Sequence, residues 1–356
     1  MNLIQQSIRI INKNQDASGA YIASPNFEIY HYSWLRDGSF IAYAMDRVEE
    51  YDSADRFYNW VAQVIEAREE KIKELIQKKQ KGLPISSKDF LPTRYHLDGS
   101  DTNDDWSNFQ LDGYGTWLWG LAEHIKLTGK KDLLDQYQKG IELTIDYLAN
   151  FWKVPNYDCW EEFGDLIHPA TLACIAGGLK QINQYLKRKD LSKLVDEIKS
   201  FVKENYVYQG HLMKSTGLTY VDASLLWAAV PFGLFPLEDE VIKETVRLIE
   251  RDLYKNREGV HRYTKDTYYG GGAWILLTAW LGWYYSSVGR IDEAEEIKRW
   301  IEEQADSNGE LPEQIPINLN QGEYYQCWVD KWGGIAKPLL WSHGMYLILS
   351  IELSSK

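Results

Sequence analysis

The sequence predicts an all-α fold, an (α/α)6 barrel built from six helical hairpins. Three patterns carry that expectation. Hydrophobic periodicity marks twelve helical segments, every second one is apolar nearly all round, and the connections alternate between short and long. The segments span about 1–14, 37–50, 53–78, 113–128, 131–152, 168–188, 191–205, 222–232, 238–254, 271–287, 291–305 and 339–354.

The even-numbered segments contain the runs 40–45, 223–232, 273–285 and 339–349, which have almost no polar face. Such helices are buried. The odd-numbered ones contain 66–79, 189–204, 238–251 and 292–303, charged along one side. Those lie at a surface, so an inner ring alternates with an outer ring. Inner-to-outer links are tight turns at 129–132, 189–192, 236–239 and 289–292. Outer-to-inner links are long, at 15–36, 79–112, 153–167, 206–221, 255–270 and 306–338, and rich in Trp, Tyr, Asp, Glu and Gly. Long loops in a compact fold usually carry function, and all six emerge on one rim. A helical solenoid or an open bundle is the competing architecture. Six hairpins with strict alternation of burial favour the closed ring. No Pro/Ser/Gly-rich linker interrupts the pattern, so residues 1–356 read as one domain.

Composition narrows the function classes. The net charge of −13 repels nucleic acid and anionic membrane alike. The 15 Trp and 24 Tyr help make 14% of the chain aromatic, which suits a wet, ring-lined cleft where the apolar faces of a sugar can stack. Cys159, Cys174 and Cys327 are odd in number and lack metal or CxxC spacing, as expected in a reducing compartment. The first residues lack the apolar core of a signal peptide, and no run approaches the length of a membrane span. The expected location is cytoplasmic.

Two segments about 150 residues apart place a carboxylate beside a bulky apolar group: Trp160-Glu161-Glu162 and Leu311-Pro312-Glu313-Gln314. Cleaving a glycosidic bond takes two carboxyls, one protonated and one ionised. Glu beside Trp is one way to raise a pKa, because desolvation disfavours the anion. The first long loop ends in Arg36-Asp37, which serves either as a helix cap with a local ion pair or as a grip on vicinal hydroxyls. The run Asp101-Thr102-Asn103-Asp104-Asp105-Trp106 admits a Mg²⁺ site of the terpene-cyclase kind, but no second acidic motif accompanies it, and solvated carboxylates explain it better. Gly270-Gly271-Gly272 lacks the phosphate-loop pattern and reads as a tight turn into a buried helix.

In order along the chain stand residues 30–37, Trp106 with Gln110-Leu111-Asp112-Gly113, Trp160-Glu161-Glu162, Arg262 with Asp266 and Tyr268, Leu311-Pro312-Glu313-Gln314, and Pro338-Leu339-Leu340-Trp341-Ser342-His343. This series resembles the glucoamylase family of glycoside hydrolases (family 15), inverting enzymes on an (α/α)6 barrel. It falls in five of the six long loops and at the start of the last inner helix. The resemblance implies Glu161 as general acid and Glu313 as general base. It implies Glu162, Arg36, Asp37 and Arg262 as groups that hold sugar hydroxyls, and Trp106 as a wall that helps to orient the acid, with Trp34 and Trp160 as further substrate-binding residues. Tyr30 and Tyr268 lie near the attacking water on that reading. Glu161 must then be raised in pKa and Glu313 must stay charged, with the two carboxyls about 6.5–9.5 Å apart.

For the whole chain the resemblance implies an exo-acting, inverting α-glucosidase without cofactor or metal, acting as a monomer on a small-molecule α-glucoside. The chain lacks the large N-terminal β-domain of many bacterial family members and the starch-binding domain of fungal ones. Its Arg94-Tyr95-His96-Leu97-Asp98-Gly99 loop looks like that of members acting on oligosaccharides. Isomaltose or short malto-oligosaccharides are therefore the expected substrates. A trehalase of the same family and a non-catalytic, sugar-binding regulatory domain are the alternatives.

Overall fold

The computed structural model describes residues 2–102 and 104–355. Among them fourteen α-helices carry the fold: α1 Leu3–Lys13, α2 Leu35–Arg47, α3 Tyr51–Glu66, α4 Glu69–Gln80, α5 Asp112–Thr128, α6 Leu133–Gln136, α7 Gln138–Phe151, α8 Pro169–Leu186, α9 Lys189–Asn205, α10 Glu240–Leu253, α11 Ile275–Ser287, α12 Ile291–Glu303, α13 Tyr325–Trp332 and α14 Leu340–Ser354. The strands are two residues each: β1 Ser33–Trp34, β2 Arg94–Tyr95, β3 Val207–Tyr208, β4 His211–Leu212, β5 Val260–His261, β6 Ala273–Trp274 and β7 Gln314–Ile315. All pair antiparallel, as β1–β2, β3–β4 and β5–β6–β7.

The apolar segments form a closed ring. α2 packs on α5, α5 on α8, α8 on residues 223–228, those on α11, α11 on α14, and α14 back on α2. α1, α3, α7, α9, α10 and α12 lie outside it, each against an inner partner. This is the predicted (α/α)6 arrangement, and its buried apolar side chains form one contiguous cluster. No helix among the described residues is long and apolar enough to cross a membrane.

Four segments depart from the sequence expectation. The helix expected over 131–152 divides at Tyr137, whose backbone leaves the helical region (φ −105°, ψ 14°), into α6 and α7. The helix expected over 222–232 is a 3₁₀ segment, Ala223–Ala228. The Asp222 side chain accepts from Ser224 N–H at 2.8 Å and fixes its start, and Pro231 has no N–H with which to continue a helix. The helix expected over 53–78 breaks into α3 and α4. Nothing local breaks it. Arg68 at the junction donates to the Val64 and Gly99 carbonyls and lies 4.4 Å over the Tyr95 ring, so tertiary contacts override propensity. The last long loop contains a further helix, α13, where the sequence reading has only loop.

At the centre of the inner ring Phe40 is fully buried, with ring centroids 5.6 Å from Trp119, 5.8 Å from Trp227 and 5.7 Å from Trp341. Between α5 and α8 the backbones touch. A Cβ on Gly115 would stand 2.5 Å from the Cys174 carbonyl oxygen, and one on Gly178 would stand 2.1 Å from that of Gly115. Only glycine fits either position.

Candidate active site

The first long loop ends in β1, and its pairing with β2 holds Tyr30 and Trp34 over the end of α2. The third loop folds into a turn. Asp158 N–H donates to the Glu162 carbonyl at 3.0 Å, and Glu161 N–H donates to the Asp158 carbonyl at 2.9 Å. Within it Glu161 takes a left-handed backbone, φ 68°, a conformation that costs a non-glycine residue on the order of 1 kcal/mol. Glu313 lies just before β7. The last inner helix fixes its loop. Ser342 donates to the Pro312 carbonyl at 2.8 Å, and His343 Nε2 accepts from Leu311 N–H at 3.0 Å. Burial pushes His343 down to about 3. The ring is therefore neutral, and with Nε2 accepting, Nδ1–H donates to Ser7 at 2.9 Å.

These loops enclose a cavity of about 310 Å³, at the small end of the usual range for small-molecule sites. All eleven residues singled out from the sequence line it: Tyr30, Trp34, Arg36, Asp37, Trp106, Trp160, Glu161, Glu162, Arg262, Tyr268 and Glu313. Trp274, Trp328, Trp332 and Trp341 line it too, as do Asp105 and Cys159.

One loop touches both candidate carboxyls. Trp34 Nε1–H donates to Glu161 Oε1 at 2.6 Å, and Tyr30 OH donates to Glu313 Oε1 at 2.9 Å. The Tyr30 and Trp34 rings are 5.6 Å apart, edge to face. Tyr268 OH lies 2.8 Å from Tyr30 OH. Since Tyr30 gives its proton to Glu313, Tyr268 donates to Tyr30. Glu313 Oε2 is buried without a hydrogen-bond partner among the described residues. Gln110 Nε2 adds a longer contact of 3.3 Å to Glu161.

The sequence places the raised carboxyl at Glu161, beside Trp160. In the structure the Trp160 indole N–H turns to Asp222 instead, at 2.9 Å. Burial raises the Glu313 carboxyl to about 8, opposed by the Tyr30 hydrogen bond and the Arg262 charge. The Trp106 indole N–H is buried without a hydrogen-bond partner among the described residues, so it makes no hydrogen bond to Glu161. The ring packs edge-on against Trp34 at 6.3 Å and takes the Arg94 guanidinium on its face at 4.0 Å.

Two buried cations flank the carboxyls. Arg36 donates from Nη1 to Gln110 at 2.8 Å and Asp112 at 3.0 Å, with Nε 3.2 Å from Asp37. Burial pushes Asp37 up to about 7 despite Arg36. Arg262 is locked to Asp266 through Nε at 2.8 Å, and Nη2 reaches Glu162 at 3.4 Å. Tyr263 OH also donates to Glu162, at 2.5 Å. The rings of Trp160, Tyr268 and Trp274 face the Arg262 guanidinium at 5.2–5.4 Å.

The acidic run of the second loop disperses among basic partners: Asp101 pairs with Arg68, Asp104 with Arg94, and Asp105 with Lys88. Its Asn103 lies outside the described residues. Among the described residues no cluster of three or more His, Cys, Asp or Glu side chains is placed to hold a metal ion.

Sequence reasoning missed the aromatic wall on α13. Tyr325, Trp328 and Trp332 recur at i, i+3 and i+7, a helical spacing hidden inside a presumed loop. Trp332 stacks toward Trp106 at 6.2 Å, and Trp328 meets Tyr268 at 5.0 Å.

A double ring of helices with two loop carboxyls on a small, aromatic-walled cavity defines a glycoside hydrolase. The chain belongs to the glycosyl hydrolases family 15, whose profile matches residues 1–330. It is 42% identical to an isomaltose glucohydrolase from Kribbella flavida, over 99% of this chain and 92% of that protein. A solved glycosidase variant in complex with glucose superposes with a TM-score of 0.95 at 42% identity, over 99% of this chain and 96% of that one. A bacterial glucoamylase complexed with acarbose shares the fold, with a TM-score of 0.74 at 19% identity, over 99% of this chain and 56% of that one.

Proposed function

We propose that the chain is a single catalytic domain that releases β-glucose from the non-reducing end of short α-glucosides, isomaltose foremost, by direct displacement. The observation that carries this reading is the pair of carboxyls, Glu161 and Glu313, presented to one cavity by the single Tyr30–Trp34 loop. The identity to an isomaltose glucohydrolase supports the substrate, and the glucose complex of a similar glycosidase supports the product.

On this reading Glu161 donates its proton to the glycosidic oxygen as the C1–O bond breaks. Glu313 takes a proton from a water that attacks C1 on the opposite face, and the anomeric centre inverts. Arg36, Asp37, Glu162 and Arg262 orient the terminal glucose, while Trp34, Trp106 and Trp160 wall it. The unpaired Cys159, Cys174 and Cys327 fit a reducing, cytoplasmic compartment, and the chain is read as acting as a monomer. Proton NMR during early hydrolysis of isomaltose, set beside maltose and trehalose, tests the whole reading. β-Glucose is expected first, fastest from isomaltose. α-Glucose as first product excludes direct displacement, preference for trehalose makes the enzyme a trehalase, and binding without release of glucose from any of the three leaves a sugar-binding module.

The base must be ionised to work. With burial raising Glu313 to about 8, kcat/KM rises with pH toward that value. Tyr30 donates to the anion and holds this pKa down. Tyr30→Phe removes the donor, raises the pKa and enlarges the protonated fraction at any given pH. A hydrogen bond to a charged group contributes about 1.5–3 kcal/mol, so the acid limb should move up by about one pH unit or more. An unmoved limb in the pH dependence of kcat/KM would remove Glu313 from the role of base.

A further inference from the structure

Lys214 lies behind the cavity wall, not on it, with its side chain 3% exposed. Its ammonium bridges two buried carboxylates, Asp158 Oδ2 at 2.7 Å and Asp222 Oδ2 at 2.6 Å. Each of those carboxylates holds the acid-bearing turn. Asp158 Oδ1 accepts both Trp160 N–H and Glu162 N–H, each at 3.0 Å, one residue on either side of Glu161. Asp222 accepts the Trp160 indole N–H and, from the other side, the N–H and hydroxyl of Ser224 at the head of the fourth inner segment. A left-handed, non-glycine residue such as Glu161 persists only where its surroundings over-determine it.

We propose that Lys214 is a positioning residue for the acid-bearing turn, holding Glu161 in its strained conformation through Asp158 and Asp222. The inference rests on the reading of Glu161 as the general acid. Without the ammonium two carboxylates face each other in a dry site, and both cannot stay ionised. Whichever one takes up a proton weakens its grip on Trp160 and Glu162. Glu161 between them then moves relative to the glycosidic oxygen. Tyr263 completes the enclosure, its ring 4.4 Å from the ammonium and its hydroxyl on Glu162. Displacing an acid by about 1 Å costs on the order of 10²-fold in rate.

The test compares Lys214→Met, Lys214→Arg and Glu161→Gln for kcat, KM, pH profile and melting temperature, with isomaltose as substrate. In Lys214→Met, kcat per folded molecule should fall roughly 100-fold, KM should stay within about threefold, and the kcat–pH profile should change shape. Lys214→Arg restores the cation and should recover most of kcat. A role confined to stability instead lowers the melting temperature and leaves kcat per folded molecule and the pH profile as in the parent, which overturns the proposal. Should Lys214→Met not fold, Asp222→Asn serves. It weakens the bridge but keeps an acceptor for Trp160, and an unchanged kcat there also overturns it. If Glu161→Gln itself keeps its turnover, the reading of Glu161 falls, not the link between Lys214 and the turn.

Discussion

Glu161→Gln should fold, bind isomaltose and turn it over about 10²–10⁴-fold more slowly than the parent, the contribution of one positioned acid. The substitution keeps an oxygen for the Trp34 indole N–H at 2.6 Å and the Gln110 amide at 3.3 Å, so the turn has no reason to move. What it removes is the proton. A second substrate isolates that loss. Fluoride leaves from α-glucosyl fluoride without being protonated, so the variant should hydrolyse that compound at a rate close to the parent's while isomaltose fails. Near-parent turnover of isomaltose would transfer the acid role to Glu162, the neighbouring carboxyl on the cavity. Equal losses on both substrates would mean that Glu161 binds sugar instead of transferring a proton.

Phe40→Ala should cost about 3–5 kcal/mol of folding stability. The side chain is fully buried and is ringed by Trp119, Trp227, Phe232, Trp280 and Trp341 at 5.6–6.4 Å. Those neighbours come from different inner elements and cannot close over the hole together. A urea titration reads the loss as a lower midpoint, and Phe40→Leu should recover part of it. Trp341 lines the cavity on its other side, so KM for isomaltose should rise in the Ala variant as well. A loss below about 1 kcal/mol would show that the centre of the ring collapses freely, contrary to what close packing implies.

The inner helices could be read from sequence because they have no polar face, and α11 is the plainest case, with Ile275 to Ser286 all buried. The fourth inner segment is equally apolar, so periodicity alone predicts a helix there. What decides against one is Pro231, which has no N–H with which to continue a helix. The α3–α4 break was invisible because Arg68 is pulled by residues some thirty positions on, Gly99 and Asp101. Within the candidate site, residues in short motifs were legible and their connections were not. Trp160 neighbours Glu161 in sequence, yet its indole serves Asp222, while Trp34, 127 positions from Glu161, makes the contact. Lys214 gave no signal at all. In sequence it is one more lysine of a charged chain, and its partner Asp158 stands 56 residues away.

The contact at Gly115 and Gly178 bears on how such a site can change over evolutionary time. The second long loop delivers Gln110 and Asp112 at the head of α5, and the third delivers Glu161 ahead of α8. Where these two helices meet, carbonyl groups and α-carbons touch directly, with no cushion of side chains that could thicken, thin or swap rotamers. The gap between the two loop roots is thus a rigid gauge, set by van der Waals radii and insensitive to heat or to drift in neighbouring residues. Loops mounted on it can lengthen, shorten and exchange their chemistry without the ring having to be retuned each time. Diversification can then proceed at the rim while the frame beneath stays fixed.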